Sequence, residues 1–453
     1  MRIVIVGAGL VGSSLAEQLL YEGHDISIVE VRPEFCQAIE EKLDVLVVEG
    51  SGSNPQILIR ARIKEAEILL AVTPEDEINI IACGIGKQLG VREKIARIRN
   101  HDYVSSPETF SLQAIGVDRI IEPEKAVVES IYQYILTPGA IEATSFENGL
   151  ILLREYKVSN VMPIAGKTLM QARKMAEPSE ILIMTIVRDD RAIIPSGDIV
   201  VQDNDEILAL FPASSLEAFL NLLAIPSKKV RKIVMTGDNL TSFKLAQRLD
   251  KHIDNVIWVS PDYEYGQWGA SQLTQVEVLH GDCTEVDLLK EIHVENADFF
   301  IGSGKNTENN IMSALLAKSQ GVRETIAISN QPAKSNKLFK SIGVDHVINP
   351  RLTTADSILD LIHRGGKLKE IKIRDMDLEA IRIIAGENSK ICGIPLHKAW
   401  KPLAQKAIIG AIIRNENLMI PSGDFVIHPG DQAMVIARVK TLGAIKNLFK
   451  ERL

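Results

Sequence analysis

The chain repeats itself with an offset of roughly 230 residues. Three segments return in the same order: 3–12 at 233–242, 114–123 at 341–350, and 194–198 at 420–424. Both ends and the middle of the first half therefore have counterparts in the second half. This pattern predicts that a unit of two domains has been duplicated. An enzyme rarely needs two copies of its fold in one chain, whereas a ring-like regulator often does.

The length and net charge of the chain limit the classes of function that it can have. The 453 residues suffice for about three or four domains. The net charge of -8 argues against a nucleic-acid partner and, more weakly, against direct binding to anionic lipid. No apolar stretch approaches the ~18 residues of a membrane span, and no signal peptide precedes the first strand pattern. The sequence predicts a cytoplasmic protein.

The cysteines give no sign of a metal site. The chain has four of them, far apart and without a CxxC pair: Cys36, Cys83, Cys283 and Cys392. Separated thiols fit a reducing compartment, and the sequence predicts no structural zinc and no other metal.

Each half begins with alternating strand and helix patterns. In the first half, short apolar runs at 3–6, 26–29, 45–48, 68–72 and 95–98 alternate with amphipathic segments. Continuous apolar runs with helices between them predict a parallel sheet covered on both faces. After Pro138-Gly139 the pattern changes to that of a small α+β domain, with strands at 150–157, 181–188 and 206–211.

The fold class predicted is therefore α/β, with two tandem Rossmann-like parallel-sheet domains, each followed by a small α+β domain. The predicted boundaries are 1–140 for the first Rossmann-like nucleotide-binding domain and 141–225 for the first small domain. The second Rossmann-like domain, with a degenerate nucleotide motif, spans 226–365, and the second small domain spans 366–453. Residues 226–229 are the predicted linker between the halves.

A glycine-rich turn joins the first strand pattern to the first helix pattern. It reads Gly7-Ala8-Gly9-Leu10-Val11-Gly12. The first glycine permits the tight turn, the second lets a pyrophosphate approach the backbone, and the third lets helix and strand pack closely. The phosphates then meet free N–H groups at the positive end of the helix. In this strand–helix context the motif predicts a dinucleotide or nucleotide site.

Glu30 ends the second strand pattern, 18 residues after Gly12. A carboxylate there accepts hydrogen bonds from ribose hydroxyls and repels a 2′-phosphate, which favours NAD(H) or adenine nucleotides over NADP. Arg32 lies close to Glu30, and its positive charge weakens this argument against NADP.

Further candidates lie where other strands end, because ligands of open α/β sheets bind at the carboxyl edge. We expect Gly50 and Ser51 to border the adenine. We expect Thr73 and Pro74 to border the ribose and the phosphates. Arg97 and Arg99 are placed to reach a phosphate. The alternative for each is an ordinary loop or core residue.

The second half departs from this motif. Asn239 and Ser242 stand where the first half has Gly9 and Gly12, and Ser260 stands where it has Glu30. A side chain at 239 crowds the pyrophosphate position, and the ribose carboxylate is gone. The second site is predicted to be weak, altered or empty.

Catalytic groups are not evident in the sequence. A dehydrogenase needs an acid or base beside the transferred hydride, and no pairing of that kind occurs at a plausible spacing. Lys305 follows a Gly-Ser-Gly segment, but it comes after the fourth strand pattern of its domain rather than the first, so it does not indicate a P-loop. The sequence therefore predicts that the protein is not an enzyme and that it has no catalytic residue.

Together these motifs resemble the peripheral regulatory subunits of bacterial and archaeal Trk-type potassium uptake systems. The resemblance spans the chain and depends on the 7–12 turn and on segments 48–50, 70–79, 95–99 and 309–314, together with the two Pro-Ser-Gly-Asp turns. It implies two regulator-of-potassium-conductance units per chain. These proteins form a ring under a membrane channel and sense NAD(H) and ATP or ADP.

The resemblance also implies which residues contact nucleotide: Gly7, Ala8, Gly9, Leu10, Val11, Glu30, Thr73, Pro74 and Arg97. It implies an integral membrane potassium channel or transporter of the Trk type as partner, a homodimer or larger ring, and a position at the inner face of the cell membrane. An NAD-dependent oxidoreductase and a regulator of another cation transporter are the alternatives.

Overall fold

The computed structural model describes most of the chain. The described residues are 1–100, 102–105, 110–146, 149–177, 180–189, 191–225, 230–364, 369–372, 378–404, 406–414 and 417–450. The predicted linker at 226–229 and the predicted boundary at 365 and 366 lie outside them.

The first domain is a parallel sheet with strand order β3-β2-β1-β4-β5-β6. Its strands are β1 (Arg2–Val6), β2 (Asp25–Glu30), β3 (Leu46–Glu49), β4 (Ile68–Ala71), β5 (Glu93–Arg97) and β6 (Arg119–Ile121). Its helices are α1 (Leu10–Tyr21), α2 (Pro33–Glu40), α3 (Pro55–Arg60), α4 (Asp76–Gln88), α5 (Asp102–Ser105), α6 (Leu112–Ile115) and α7 (Pro123–Leu136). Strand order reverses between β1 and β4, so the loops after these strands flank the crevice where ligands of such sheets bind.

The first small domain is an antiparallel sheet with order β10-β9-β11-β8-β7 and two helices. The strands are β7 (Glu142–Phe146), β8 (Ile151–Lys157), β9 (Leu182–Arg188), β10 (Arg191–Ile193) and β11 (Glu206–Pro212). The helices are α8 (Leu169–Ala176) and α9 (Leu216–Leu222). The edge strand β7 was not predicted from the sequence.

The second half repeats both sheets. Its parallel sheet has order β14-β13-β12-β15-β16-β17. The strands are β12 (Lys232–Thr236), β13 (Asn255–Ser260), β14 (Glu277–His280), β15 (Phe299–Gly302), β16 (Glu324–Ile328) and β17 (His346–Ile348). The helices are α10 (Leu240–Leu249), α11 (Tyr263–Gln272), α12 (Val286–Glu291), α13 (Thr307–Ser319), α14 (Ala333–Ser341) and α15 (Pro350–Arg364).

The second small domain has order β18-β19-β22-β20-β21, the same path as in the first. Its strands are β18 (Lys369–Lys372), β19 (Leu378–Ile384), β20 (Ala407–Arg414), β21 (Asn417–Met419) and β22 (Gln432–Arg438), and its helices are α16 (Leu396–Ala399) and α17 (Leu442–Phe449). The predicted fold class, two parallel-sheet domains each followed by a small α+β domain, is confirmed.

Contacts divide the chain into two compact units. One, Met1–Tyr132 with Val230–Leu361, holds both parallel sheets. In it Lys244 of α10 lies 2.8 Å from Glu122, and the Arg248 guanidinium lies 4.5 Å from the ring centre of Tyr132. The two sheet domains therefore pack against each other through α10 and α7.

The other unit, Gln133–Lys229 with Ile362–Leu453, holds both small domains. Strands β8, β9 and β11 of one share an apolar core with β20 and β22 of the other. Each small domain also carries the same ion pair between a partly exposed arginine and a buried aspartate, Arg188–Asp205 at 2.7 Å and Arg414–Asp431 at 2.6 Å. Nowhere in the described part of the chain is a helix both long enough and apolar enough to cross a bilayer.

Candidate functional site

The turn between β1 and α1 has the geometry that its glycines predict. Gly7 adopts φ +104°, a backbone conformation that glycine tolerates and other residues rarely adopt. A Cβ at Gly12 would lie 1.8 Å from the carbonyl oxygen of Gly7, so only glycine allows this close approach. A Cβ at Gly9, by contrast, would have no atom within 4 Å. The backbone at Gly9 therefore faces open space, as a phosphate-binding turn requires.

The N-terminus of α1 lacks a side-chain cap. Gly9 is the N-cap residue, in an extended conformation, and no side chain accepts a hydrogen bond from the first turn. The first-turn N–H groups of a helix have no partner within the helix and carry part of its positive dipole end. The start of α1 can therefore receive an anionic group. Leu10 is nearly half exposed beside it, whereas Val11 is buried under the turn.

Glu30, at the end of β2, is only 4% exposed and faces the turn. One carboxylate oxygen accepts a hydrogen bond from the Ala8 N–H at 2.7 Å. The other accepts three, from the N–H groups of Val31 and Arg32 and from Nε of Arg32. Burial raises the pKa of this carboxyl, but the hydrogen bonds from the Arg32 side chain and from the Ala8 and Arg32 backbone outweigh it and hold the pKa below its usual value.

The surroundings of Glu30 differ from the sequence expectation in one respect. Its carboxylate orders the glycine-rich turn through Ala8, in addition to the expected part of Glu30 in binding a ribose. Among the described residues, the Ala8 N–H is the only donor to this oxygen, which keeps capacity for a second. Arg32 is half exposed and stacks 3.9 Å over the ring centre of Phe35, which holds it beside Glu30.

The loop after β3 closes against the same edge. The Gly50 N–H donates to the Glu30 carbonyl oxygen at 2.8 Å, and its φ is +147°. A Cβ at Gly50 would lie 2.7 Å from the Ile57 side chain, so glycine is needed here both for this backbone conformation and for the packing of Ile57. The Ser51 hydroxyl turns toward Ser53, 2.8 Å away, within its own loop.

Asn79 of α4 fixes the loop after β4, and sequence reasoning did not assign it to the site. Its side chain is fully buried. Its oxygen accepts from the Thr73 N–H at 2.9 Å and from the Thr73 hydroxyl at 2.8 Å, and its amide nitrogen donates to the carbonyls of Thr73 and Arg97. One amide thus links two strand ends of the crevice, and Thr73 lies against Gly7.

The Arg97 guanidinium is the positive group nearest this network. Its Nη1 reaches the Thr73 carbonyl at 3.3 Å, while its buried Nε has no hydrogen-bond partner among the described residues. Burial, and then the charge of Arg99, lower the Arg97 pKa from its usual value. A buried guanidinium N–H without an acceptor is a ready partner for an anion.

Arg99 and Pro74 lie slightly apart from this group. The backbone N–H groups of Arg99 and Asn100 donate to the buried Asp76 carboxylate, and the Arg99 side chain reaches Glu124 at 3.2 Å. Pro74 is exposed and lines an open cleft together with Arg99. Most of the predicted residues come together in this group: 7–12, Glu30, Gly50, Thr73 and Arg97. Three others lie at the border of the group: Ser51, Pro74 and Arg99.

The equivalent turn of the second half is closed by its own side chains. Asn239 caps α10 by accepting from the Ser242 N–H at 3.1 Å, and its amide donates to the Ser303 carbonyl at 2.7 Å. The Ser242 hydroxyl donates to the same carbonyl. Lys305 reaches Asp238 at 3.1 Å across the turn. Groups that a phosphate would contact in the first half are thus satisfied internally here.

The duplication itself contains the signal that would have found Asn79. Its counterpart Asn310 accepts from the Gly304 N–H at 2.8 Å and donates to the Gly304 and Ile328 carbonyls. Both halves use one buried asparagine to hold the loop after the fourth strand. Its presence in the half with the closed turn indicates that this asparagine positions the loop rather than binding ligand.

Among the described residues, no group of three or more His, Cys, Asp and Glu side chains is placed to hold a metal ion. All four cysteines are free, and Cys83 and Cys283 are buried. Burial raises the pKa of each of these two thiols to about 12, so neither is a reactive thiolate.

Comparison with known proteins identifies the domains. The TrkA-N domain family matches residues 3–123 and 233–350, and the TrkA-C domain family matches 153–224 and 380–450. These ranges cover nearly all of both parallel sheets and most of each small domain, except the edge strands β7 and β18.

Full-length relatives share this arrangement. The chain is 31% identical over 456 residues to the Trk system potassium uptake protein TrkA of Haemophilus influenzae, covering 99% of each chain. It is also 31% identical to TrkA homolog 1 of Methanosarcina mazei, over 99% of this chain and all of that one.

Solved structures agree on the fold. The RCK domain of GsuK covers 99% of this chain with a TM-score of 0.59 at 18% identity, and the GsuK channel bound to NAD gives a TM-score of 0.60 at 17% identity, with 78% of that chain covered. The chain therefore belongs to the TrkA family of Trk-type potassium uptake proteins, with its TrkA-N and TrkA-C domains duplicated in tandem.

Proposed function

We propose that this protein is a nucleotide-sensing regulatory subunit that controls a membrane potassium uptake channel or transporter. In this proposal the first parallel-sheet domain binds one adenine nucleotide, and binding changes the shape of an oligomeric ring that holds the gate of the partner. The single observation that carries the proposal is the uncapped start of α1, which follows a turn bound to the Glu30 carboxylate through Ala8.

The contrast between the halves supports a single nucleotide site. Both halves have a β-strand, a tight turn and a helix at the same place in the sheet. In the first, a side chain at Gly9 would meet no neighbour, and the helix N-terminus has no side-chain cap. In the second, Asn239 already supplies the cap. A phosphate must displace a side chain there, so we infer that the second turn binds nucleotide weakly or not at all.

The choice of nucleotide follows from charge. Glu30 is ionised at neutral pH because its pKa is lowered. A carboxylate at this place accepts ribose hydroxyls and repels a 2′-phosphate. NAD(H), with ATP or ADP at the same site, is therefore the proposed ligand. The structural neighbour GsuK binds NAD, which supports a dinucleotide on this fold.

Gating in this proposal needs no chemical step. A nucleotide shifts an equilibrium between two ring shapes only by as much as its affinities for them differ. The partner must then alter nucleotide affinity by the same factor. Duplicated units favour pseudo-symmetric contacts that close into a ring, and two chains would supply four units. The relatives' role in Trk potassium uptake supports a potassium channel or transporter as partner, with the protein held at the inner face of the membrane through it.

Two experiments test the proposal. Isothermal calorimetry with NADH, NAD, ATP and ADP on the full chain should find one tight site per chain. Potassium flux through the reconstituted partner should differ between nucleotides added with this protein. Equal flux in every condition would contradict regulation, and steady NADH oxidation with a small substrate would favour the oxidoreductase alternative.

A further inference from the structure

The first small domain contains a cavity of about 240 Å³ that the nucleotide site does not involve. Apolar side chains form most of its wall, among them Ile164, Leu169, Ile181 and Leu222. Ile408, on β20 of the second small domain, closes one side. The Arg173 side chain and the 195–197 turn also line it. The cavity lies just below the ~300–1,000 Å³ of drug-sized sites, so it fits a smaller molecule.

The duplication shows what such a space can hold. With an offset of 227 or 226 residues, the cavity residues correspond to Ile391, Leu396, Ala407 and Leu448 in the second small domain. These four belong to, or pack against, its apolar core. Arg173 itself corresponds to Trp400.

Trp400 packs against this same apolar core in the second domain. Its ring lies 6.4 Å from the ring of Phe449, edge to face, and its Nε1 donates to the Ala407 carbonyl at 2.9 Å. Ala407 is the counterpart of the cavity residue Ile181. By this correspondence, an indole side chain of the second domain packs against the counterparts of residues that line the open cavity in the first.

Arg173 gives the open cavity its one charged group. It lies on α8, is solvent-exposed, and has no ion-pair or hydrogen-bond partner among the described residues. Guanidinium groups bind carboxylates through paired, charge-assisted hydrogen bonds. An indole-sized apolar space with a free guanidinium at its wall matches an aromatic ring that carries a carboxylate.

We propose that the first small domain is a second ligand site, which binds a small aromatic monocarboxylate. The ring lies between Ile164, Leu169 and Leu222, in the place of the Trp400 indole, and the carboxylate pairs with Arg173. This site is separate from the nucleotide site in sequence and in chemistry, and it gives the regulator a second class of input.

The test uses the full chain, with indole-3-acetate and neutral indole as probes and calorimetry or ligand-observed NMR as readout. Indole-3-acetate should bind once per chain and at least roughly tenfold more tightly than indole, because only the acid engages Arg173. Arg173→Gln should remove this preference and leave indole binding within about twofold. Lys174→Gln, which removes the neighbouring exposed charge on α8, is the matched control and should change neither.

A second variant tests the position of the ring. Arg173→Trp places in the first domain the residue that fills the second, and it should abolish binding of both probes without lowering the unfolding temperature. Absence of saturable binding to the wild type at millimolar probe would overturn the proposal, as would unchanged binding to a folded Arg173→Trp variant. If that variant does not fold, equal loss of acid and indole in Arg173→Gln would likewise count against the site.

Discussion

Replacing Gly9 by Asn should stabilise the fold and strongly weaken nucleotide binding. The substitution gives the first turn the residue that closes the second, where Asn239 accepts from the Ser242 N–H at 3.1 Å. Gly9 has φ -63° and ψ -176°, an extended conformation that asparagine adopts freely. The new Cβ would meet no atom within 4 Å. The backbone and the neighbours therefore both accept the change.

The gain in stability has two sources. An asparagine N-cap is better than glycine by a few tenths of a kcal/mol, because its side chain satisfies a first-turn N–H. Losing the conformational freedom of glycine in the unfolded chain adds about 0.4–1 kcal/mol where the native backbone is compatible. The free energy of unfolding should therefore rise by about 0.5–1.5 kcal/mol.

The loss in affinity is larger. A carboxamide that caps α1 competes with the phosphates for the same N–H groups. Hydrogen bonds to a charged group contribute about 1.5–3 kcal/mol each, so the loss of two amounts to at least about 3 kcal/mol. Nucleotide affinity should fall at least ~100-fold. Stability and affinity thus change in opposite directions, which general damage to the fold does not produce.

Chemical denaturation without ligand and calorimetry with NADH measure the two effects. Gly23→Asn is a control for affinity alone: Gly23 follows the other end of α1 and a Cβ there meets no atom within 4 Å, but its φ of +82° is one that side chains rarely adopt. Its nucleotide affinity should stay within about twofold of wild type. Unchanged affinity in Gly9→Asn would show that the phosphates bind elsewhere, and a marked drop in stability would refute the account of the turn.

Three further outcomes follow from the same contacts. The pKa of Glu30 is lowered in the folded protein. The ionised carboxylate therefore stabilises the fold in full above the ordinary pKa of about 4.3, and this stabilisation is lost as the pH falls through the lowered pKa of the folded state. Glu30→Gln should therefore cost about 1–3 kcal/mol of unfolding free energy near pH 7, a difference that shrinks below about pH 4 in denaturation titrations; a difference that grows on acidification would contradict this. Gly12→Ala puts a Cβ 1.8 Å from the Gly7 carbonyl oxygen and should destabilise the protein by at least about 1–3 kcal/mol in thermal unfolding, whereas wild-type stability would argue against the tight turn. Ligand titration of the full chain should give one tight adenine-nucleotide site, and two equal sites would show that Asn239 does not close the second turn.

The parallel sheets could be predicted from the sequence because their signals are local. Strands buried on both faces appear as continuous apolar runs, and the glycine pattern fixes the turn between β1 and α1. The observed strands agree with the predicted runs to within a few residues. The residues of the 7–12 turn, Glu30, Thr73 and Arg97 come together because the carboxyl ends of parallel strands share one edge.

Contacts that depend on tertiary packing could not be predicted in this way. Asn79 reads as one polar residue in an amphipathic helix, and its burial follows only from where α4 lies on the sheet. Arg154 lies in a correctly predicted strand but is fully buried, with Gln133 at 2.7 Å and a backbone carbonyl at 2.5 Å from its guanidinium. Burial lowers its pKa to about 10. Charged residues are almost never fully buried unless paired, so the sequence pattern gave no reason to expect this.

The two halves have diverged in the same direction in both kinds of domain. In the parallel sheets, the first copy leaves its helix N-terminus uncapped and the second caps it with Asn239. In the small domains, the first copy keeps a cavity beside Arg173 and the second packs Trp400 into the equivalent region. In each case a side chain of the second copy stands where a ligand would bind in the first. A site filled by its own chain has the same occupancy in every condition, so it cannot shift an equilibrium between shapes. Under both proposals, ligand sensing by this protein belongs to the first half, and the second half serves as a scaffold whose shape does not depend on ligand.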